Sequence, residues 1–380
     1  MRGHIRRRGS KWAVVVDVGR GEDGQRRQRW HSGYNTKRDA SRALTELLGG
    51  LQSGGYIEPT KQTLGQYLKE WLVSLRASGL RPSTVAAYEL FVDKHVIPAL
   101  GVTPLQKLTT GQLNGFYVDL LDHGRRDGKG GLSPRTVRYA HITIRKALAD
   151  AVKVGGLARN VADHASPPRL GDRAQPAALT AEELHRFLEH VEADRMAAFY
   201  RLAASSGMRR GELLGLTWGA VDLDAARLSI SQTLVTVDYA VSFSTPKTRA
   251  GRRSIALDGE TVQALREHRK RQVEERLSLG GYAEDHDLVF CELDGEPLHP
   301  GQVSKRFDRL LRASGVRRIR FHDLRHTHAT LALQAGVHPL VVSERLGHST
   351  VSITLDTYSH TIPSMQEEAA EKVAALVAGG

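Results

Sequence analysis

Leu346-Gly347-His348-Ser349-Thr350-Val351-Ser352-Ile353-Thr354-Leu355-Asp356-Thr357-Tyr358 is the stretch on which the reading of this chain turns. It ends on a tyrosine ten residues after a histidine. Upstream lie His322-Asp323-Leu324-Arg325-His326 and, earlier still, Gly207-Met208-Arg209-Arg210-Gly211-Glu212. Two arginines, two histidines and a tyrosine in that order are the parts needed to break a phosphodiester without metal. Each fragment alone is common, so the information lies in their order and spacing.

The chemistry explains the residue types. Displacement at a phosphodiester builds negative charge on the non-bridging oxygens, and catalysis is mostly positioning plus neutralisation of that charge. An arginine fork can hold two phosphate oxygens and stays protonated. The leaving alkoxide needs an acid, for which lysine or histidine can serve. A covalent intermediate needs a nucleophile such as tyrosine, which must lose a proton of pKa about 10 as it attacks.

With these residues in place, the third section of the chain, about 180–365, resembles the catalytic domain of tyrosine recombinases, the lambda-integrase-type family. Ser206-Gly207-Met208-Arg209-Arg210-Gly211-Glu212-Leu213-Leu214-Gly215-Leu216 resembles the first box, with Arg209 as the first catalytic arginine. Thr245-Pro246-Lys247-Thr248-Arg249-Ala250-Gly251-Arg252-Arg253 resembles the hairpin of the catalytic lysine, which would be Lys247. Strand register is not visible in a sequence, so Lys305, Arg249, Arg252 and Arg253 stand as alternatives. The second box gives His322 and Arg325, the Leu-Gly-His box gives His348, and Tyr358 fits the nucleophile. Glu212 reads as a residue that orients an arginine, and Asp323 as a supporting neighbour. His322 and His326, at i and i+4, also invite a zinc reading. The glutamate base of such a helix is missing, however, and Arg325 inside the pair would repel a cation. His328, His338 and His360 read as surface or local hydrogen-bonding residues.

The resemblance implies a cycle. Arg209, Arg325 and His348 hold the scissile phosphate while Tyr358 attacks, leaving a 3′-phosphotyrosine and a 5′-hydroxyl. Lys247 protonates the departing oxygen and His322 assists proton transfer at the tyrosine. The bond energy is conserved, so no cofactor, ATP or metal is expected. The resemblance further implies a C-shaped clamp on DNA, a homotetramer at synapsis, and an excisionase and a DNA-bending host factor as candidate accessory partners. The terminal helix, Met365 to Val377, is expected to dock on a neighbouring protomer. A type IB topoisomerase would share the chemistry without exchanging partners, and a non-catalytic DNA-binding regulator would need none of it.

Outward from this section the chain is expected to be multidomain. Residues 1–58 read as a small three-stranded β-sheet plus one helix. Trp12 to Val18 and Arg26 to His31 have strand character, with a turn cluster at Gly19 to Gly24. Thr36 caps a helix that Gly49-Gly50 or Gly54-Gly55 would end. This module resembles the arm-binding domain of heterobivalent integrases, with Arg6, Arg7, Arg8, Lys11, Arg26 and Arg27 as candidate DNA contacts. Residues 62–168 read as an all-α section resembling the core-binding domain. Thr63, Thr109 and Ser133 cap its helices, and Pro98 is expected to stop the second. Arg135, Arg138, Arg145 and Lys146 on the last helix are candidate phosphate contacts. A Pro-rich linker, Ala165 to Arg173, precedes a mainly α (α+β) catalytic section, 178–380. Its strands are placed at Arg227 to Ile230, Tyr239 to Phe243 and Arg253 to Leu257.

Bulk composition agrees. The net charge is +12, and residues 1–56 hold 12 Lys/Arg against 5 Asp/Glu, so over half the excess lies at one end. That distribution favours a polyanion, double-stranded DNA with core-type and arm-type sites. The single cysteine, Cys291, excludes an internal disulfide framework. No apolar run approaches the roughly 20 residues that span a bilayer, so no membrane partner is expected and the cytoplasm is the natural setting.

Overall fold

The structure is a computed structural model that describes residues 3–20, 25–52, 57–171, 177–237, 239–245, 251–281 and 285–358, together with 370, 373–375, 377 and 378. The chain divides into two compact units, Met1–Asp172 and Arg173–Gly380.

In the first unit β1 (Gly3–Arg8), β2 (Lys11–Arg20) and β3 (Arg26–Tyr34) form an antiparallel sheet in the order β1-β2-β3. Ile5 lies opposite Val14 and Gly3 opposite Val16, so these positions share the face that packs on α1 (Lys37–Gln52). Period-two alternation puts Arg6, opposite Ala13, and Arg8, opposite Lys11, on the other face. Trp30, opposite Val15, joins them, and the Arg6 guanidinium stands 5.9 Å from its ring centroid. Thr36 opens α1 by accepting a hydrogen bond from the Asp39 backbone N–H at 3.1 Å. The helix passes through Gly49 and Gly50 to Gln52. Glycine costs a helix only about 1 kcal/mol, too little to end one already docked by Ala43, Leu44, Leu47 and Leu48.

The rest of this unit is helical: α2 (Leu64–Ala77), α3 (Pro82–Phe91), α4 (Ile97–Leu100), α5 (Thr110–His123) and α6 (Pro134–Lys153). Thr63 with Gln66 and Thr109 with Gln112 form reciprocal capping boxes. Leu68, Trp71, Leu113, Tyr117, Ile144 and Leu148 build the core. Pro98 does not stop the second helix. One π-helical turn, Val92–Val96, follows α3 and runs directly into α4, with the Ile97 N–H bonded to the Val92 carbonyl, so the chain stays helical past Pro98. Likewise α3 begins at Pro82 itself, with Arg81 as its N-cap.

The second unit contains α7 (Ala181–His190), α8 (Ala197–Ser206), α9 (Arg210–Leu214), β4 (Val221–Asp222), β5 (Arg227–Ser229), β6 (Thr233–Val237), β7 (Ala240–Ser244) and β8 (Ser254–Ala256). It continues with α10 (Gly259–Ser278), α11 (Pro300–Ala313), α12 (Asp323–Gln334), α13 (Pro339–Leu346) and α14 (Val351–Tyr358). β4, β5 and β8 make one antiparallel sheet and β6–β7 a separate hairpin, of which β6 had no sequence expectation. The main core is aromatic, with Phe199 against Phe290 and Phe321 at centroid distances of 5.1 and 5.4 Å. A smaller core joins Ala329, Leu333, Val342, Leu346 and the ring of Tyr358. That second core fixes α12, α13 and α14 together, and with them the stretch from which the reading began.

Candidate active site

Arg209 is delivered by a sharp reversal. α8 ends at Gly207 in the left-handed region (φ 64°), and Arg209 then stands as N-cap of α9. Only glycine suits this corner: a Cβ on Gly207 would come within 2.6 Å of Leu346 Cδ2 and 2.8 Å of His328 Cδ2. Its carbonyl accepts a 2.8 Å hydrogen bond from Arg325 Nη1, so the turn that launches one arginine also holds the other.

Glu212 lies beneath both motifs, nearly fully buried. Its carboxylate accepts from Arg209 Nη1 at 2.8 Å, from the Arg209 backbone N–H at 2.9 Å and from Arg253 Nη2 at 3.0 Å. Burial works against its charge, but Arg253 and Arg209 outweigh that and hold the carboxyl below its usual range. Arg253 donates onward to the Arg345 carbonyl (2.6 Å), and Arg209 to the Gly347 carbonyl (3.0 Å). The box around Arg209, the residue that leads into β8 and the Leu-Gly-His box are thus tied at one point. Arg253, an alternative for the lysine position, is buried and engaged here.

Tyr358, at the end of α14, is 2% exposed, and its hydroxyl lies 2.5 Å from Nδ1 of His326. The sequence reading gave that place at the tyrosine to His322. His322 begins α12 one turn earlier, 5.4 Å ring to ring from His326. Asp323 accepts from the Arg320 backbone at 2.8 Å and from its guanidinium at 2.8 Å, which locks the start of α12. His348 follows Gly347, the left-handed cap of α13 (φ 66°), and its Nδ1 stands 2.8 Å from Thr354 Oγ1.

The electrostatics of the cluster are one-sided. Burial and the Arg209 cation pull Arg325 down to about 9, still charged at neutral pH. Burial, then Arg325 and Arg209, lower His348 to about 4, and burial, then His322, lower His326 to about 4. His322 is lowered too, by burial and Arg325. The histidines are therefore neutral at pH 7, and Glu212 compensates part of the arginine charge. A pocket with surplus positive charge and neutral imidazoles is suited to an arriving anion, whose charge would relieve the cost of burying Arg325.

Lys247 and the rest of 246–250 lie outside the described residues, between β7 and β8. Lys305 is exposed and lines a cavity with Arg210, Arg318, Arg320 and His322. The zinc reading of His322 and His326 finds no third ligand: among the described residues no group of three or more His, Cys, Asp or Glu is placed to hold a metal ion. His328 is neither at the surface nor locally bonded: its Nδ1 is 3.0 Å from the carbonyl of Ala204, 124 residues away, and among the described residues its buried Nε2 has no hydrogen-bond partner. His338 makes a local bond, accepting at Nδ1 from the Leu340 N–H at 3.2 Å, and His360 lies outside the described residues.

In the first unit Arg6, Arg7, Arg8 and Lys11 are exposed, while the side chains of Arg26 and Arg27 lie outside what the structure describes. Arg135 and Arg138 are exposed on α6. Arg145 and Lys146 are engaged by Asp163 (2.7 Å) and Asp150 (2.9 Å). Thr354 beside His348 has no sequence expectation, and Arg253 at Glu212 and His326 at Tyr358 take roles other than the lysine-position and zinc readings gave them. For His326 a signal existed, its i+4 spacing from His322, which places both on one helix face.

Comparison with known proteins gives three family matches: phage integrase family over 177–364, arm DNA-binding domain over 4–50, and phage integrase N-terminal SAM-like domain over 63–121. A "Tyrosine recombinase XerC-like" protein of Caldanaerobacter subterraneus is 27% identical, with 95% of each chain covered. An "Integrase" of Streptomyces ambofaciens is 28% identical over 93% of this chain and 90% of its own. Among solved structures, the Tn1549 transposon integrase on a circular intermediate DNA aligns with a TM-score of 0.67 at 21% identity, covering 82% of this chain and 99% of the other. A lambda integrase tetramer on a Holliday junction aligns with a TM-score of 0.57 at 18% identity, covering 94% of each.

Proposed function

Because the chain belongs to the phage integrase family of tyrosine recombinases, we propose that it cleaves and rejoins DNA at specific sites through Tyr358, integrating or excising a mobile element. The observation that carries this reading is the convergence of Arg209, Arg325, His348 and Tyr358 around the Glu212 network. Arg209 and Arg325 neutralise the phosphate oxygens, with His348 beside them. Tyr358 forms the O–P bond as the bond to the 5′-oxygen breaks. Lys247 gives a proton to that oxygen. A 5′-hydroxyl from a second duplex then reverses the step, which needs no external energy source.

The partner we assign is double-stranded DNA. The outward face of the first sheet, with Arg6, Arg8, Lys11 and Trp30, is suited to an arm-type site, and Arg135 and Arg138 of α6 to a core-type backbone. A homotetramer would carry out the exchange, joined by an excisionase and a bending protein where direction is controlled. The setting is the bacterial cytoplasm, and no described helix is long and apolar enough to cross a membrane.

The test begins with a pool of randomised duplexes, each with a nick that lets the fragment beyond the cleavage point diffuse away. Wild-type chain in EDTA should yield denaturant-resistant DNA adducts. The recovered sequences, placed on two plasmids, should recombine. Adducts with relaxation of supercoils but no recombination would favour the topoisomerase reading, and no adducts at all the regulator.

A further inference from the structure

We propose that His326 is a further catalytic residue, accepting the Tyr358 phenolic proton at Nδ1 during attack and returning it during rejoining. This rests on the reading of Tyr358 as nucleophile and adds a residue outside the six matched to the family motifs.

Three observations carry it. First, Nδ1 of His326 lies 2.5 Å from the Tyr358 hydroxyl, with the rings 5.8 Å apart and inclined by 51°. That is within the reach required of a general base. Second, the contact is fixed from both sides. His326 sits in the first turns of α12, locked by Arg320 and Asp323, and the Tyr358 ring is clamped in the core of Ala329, Leu333, Val342 and Leu346. The meeting of the two therefore needs no loop to close. Third, burial, then His322, with Arg325 and Arg320, disfavour a cation at His326 and outweigh Asp323, which favours one. The imidazole is therefore neutral before DNA arrives and has a lone pair to offer.

The scheme balances. As the Tyr358 oxygen bonds to phosphorus, its proton passes to Nδ1 with the lone pair of that nitrogen, giving an imidazolium. The bond from phosphorus to the 5′-oxygen breaks, and that oxygen takes the proton of Lys247. The extra positive charge on His326 forms when the phosphate monoanion is seated among the arginines, which makes it less costly than in the free chain. In rejoining the 5′-hydroxyl gives its proton back to Lys247 and the phenolate oxygen recovers its own from His326.

The experiment uses the full chain and the nicked duplex recovered with wild type. Adduct formation, and rejoining started by adding a strand with a free 5′-hydroxyl, are timed for wild type, Tyr358→Phe, His326→Ala, His326→Asn and His326→Gln. Binding of the intact duplex and thermal melting confirm which variants are folded. Asparagine and glutamine can hold the hydroxyl but cannot take a proton. A second duplex carries sulfur in place of the scissile 5′-oxygen, so its leaving group needs no acid. Loss of a general base is worth about 10²–10⁴-fold. We expect folded His326 variants to lose ten-fold or more in adduct formation on the oxygen and the sulfur duplex alike, and in rejoining by the 5′-hydroxyl strand. A smaller loss overturns the proposal, as does recovery to the wild-type rate on sulfur, which would place the defect at the leaving group. If wild type itself forms no adduct, or Tyr358→Phe does, the reading of the whole site fails before His326 is at issue.

Discussion

Glu212 illustrates how single residues make this site possible. Two guanidiniums within hydrogen-bond distance of each other's partner would repel, and the carboxylate between them supplies the opposite charge in a place water cannot reach. Glu212→Gln removes that charge and keeps the shape. Breaking a buried ion pair costs about 3–5 kcal/mol, so a melting temperature clearly below wild type is expected, with adduct formation reduced more than DNA binding. Gly207→Ala acts through the backbone. A left-handed conformation costs a non-glycine residue about 1–2 kcal/mol, and its Cβ would also press on Leu346 and His328. Slower cleavage at unchanged salt dependence of binding should result. The histidines give a pH prediction. His326, His328 and His348 are all lowered to about 4, so in acid the unfolded state binds their protons first. Their contribution is complete above about pH 6.5 and is lost as pH falls towards 4, so thermal stability should drop across that window. Arg209, Arg325, His348 and Tyr358 could be selected from the sequence because the motif order encodes them. The pairing of Glu212 with Arg253, 41 residues away, and of His326 with Tyr358, 32 away, could not, since long-range pairs leave no local pattern.

Elements explain the glycines of the first box. A Cβ on Gly211 would stand 2.6 Å from the Leu234 carbonyl oxygen, and one on Gly215 2.9 Å from the Leu234 nitrogen. Both glycines let α9 lie directly against β6, which begins the hairpin leading towards 246–250. Gly211→Val should push that hairpin away. If Lys247 is the acid for the leaving oxygen, the variant will cleave slowly on ordinary DNA and recover on the sulfur-substituted duplex. Failure to recover would place the hairpin's role elsewhere. Helix starts were legible because capping is local: Thr63, Thr109 and Ser133 each satisfy backbone N–H groups with their own side chains. The continuation past Pro98 was hidden, because a π turn changes register without any composition of its own. Of the terminal helix expected over 365–377, most lies outside the described residues, and Val373 and Val377 are exposed.

At the scale of the molecule the net charge of +12 becomes a binding term. Affinity for duplex DNA should fall steeply with salt, and Arg6→Ala and Arg8→Ala should each reduce the slope of log K against log salt by about 1. Cleavage of a duplex lacking arm-type sequence should be spared by both variants. Unchanged slopes would remove the first sheet from the DNA interface. Every role proposed for the arginines and histidines depends on Tyr358 being the nucleophile. The most direct measurement digests the covalent adduct with nuclease and protease and identifies the nucleotide-bearing peptide by mass spectrometry. Attack by Tyr358 predicts one modified residue, Tyr358 itself, joined to a 3′-phosphate, in EDTA as in magnesium. A nucleotide on any other residue, or a 5′-phosphate on Tyr358, would contradict it.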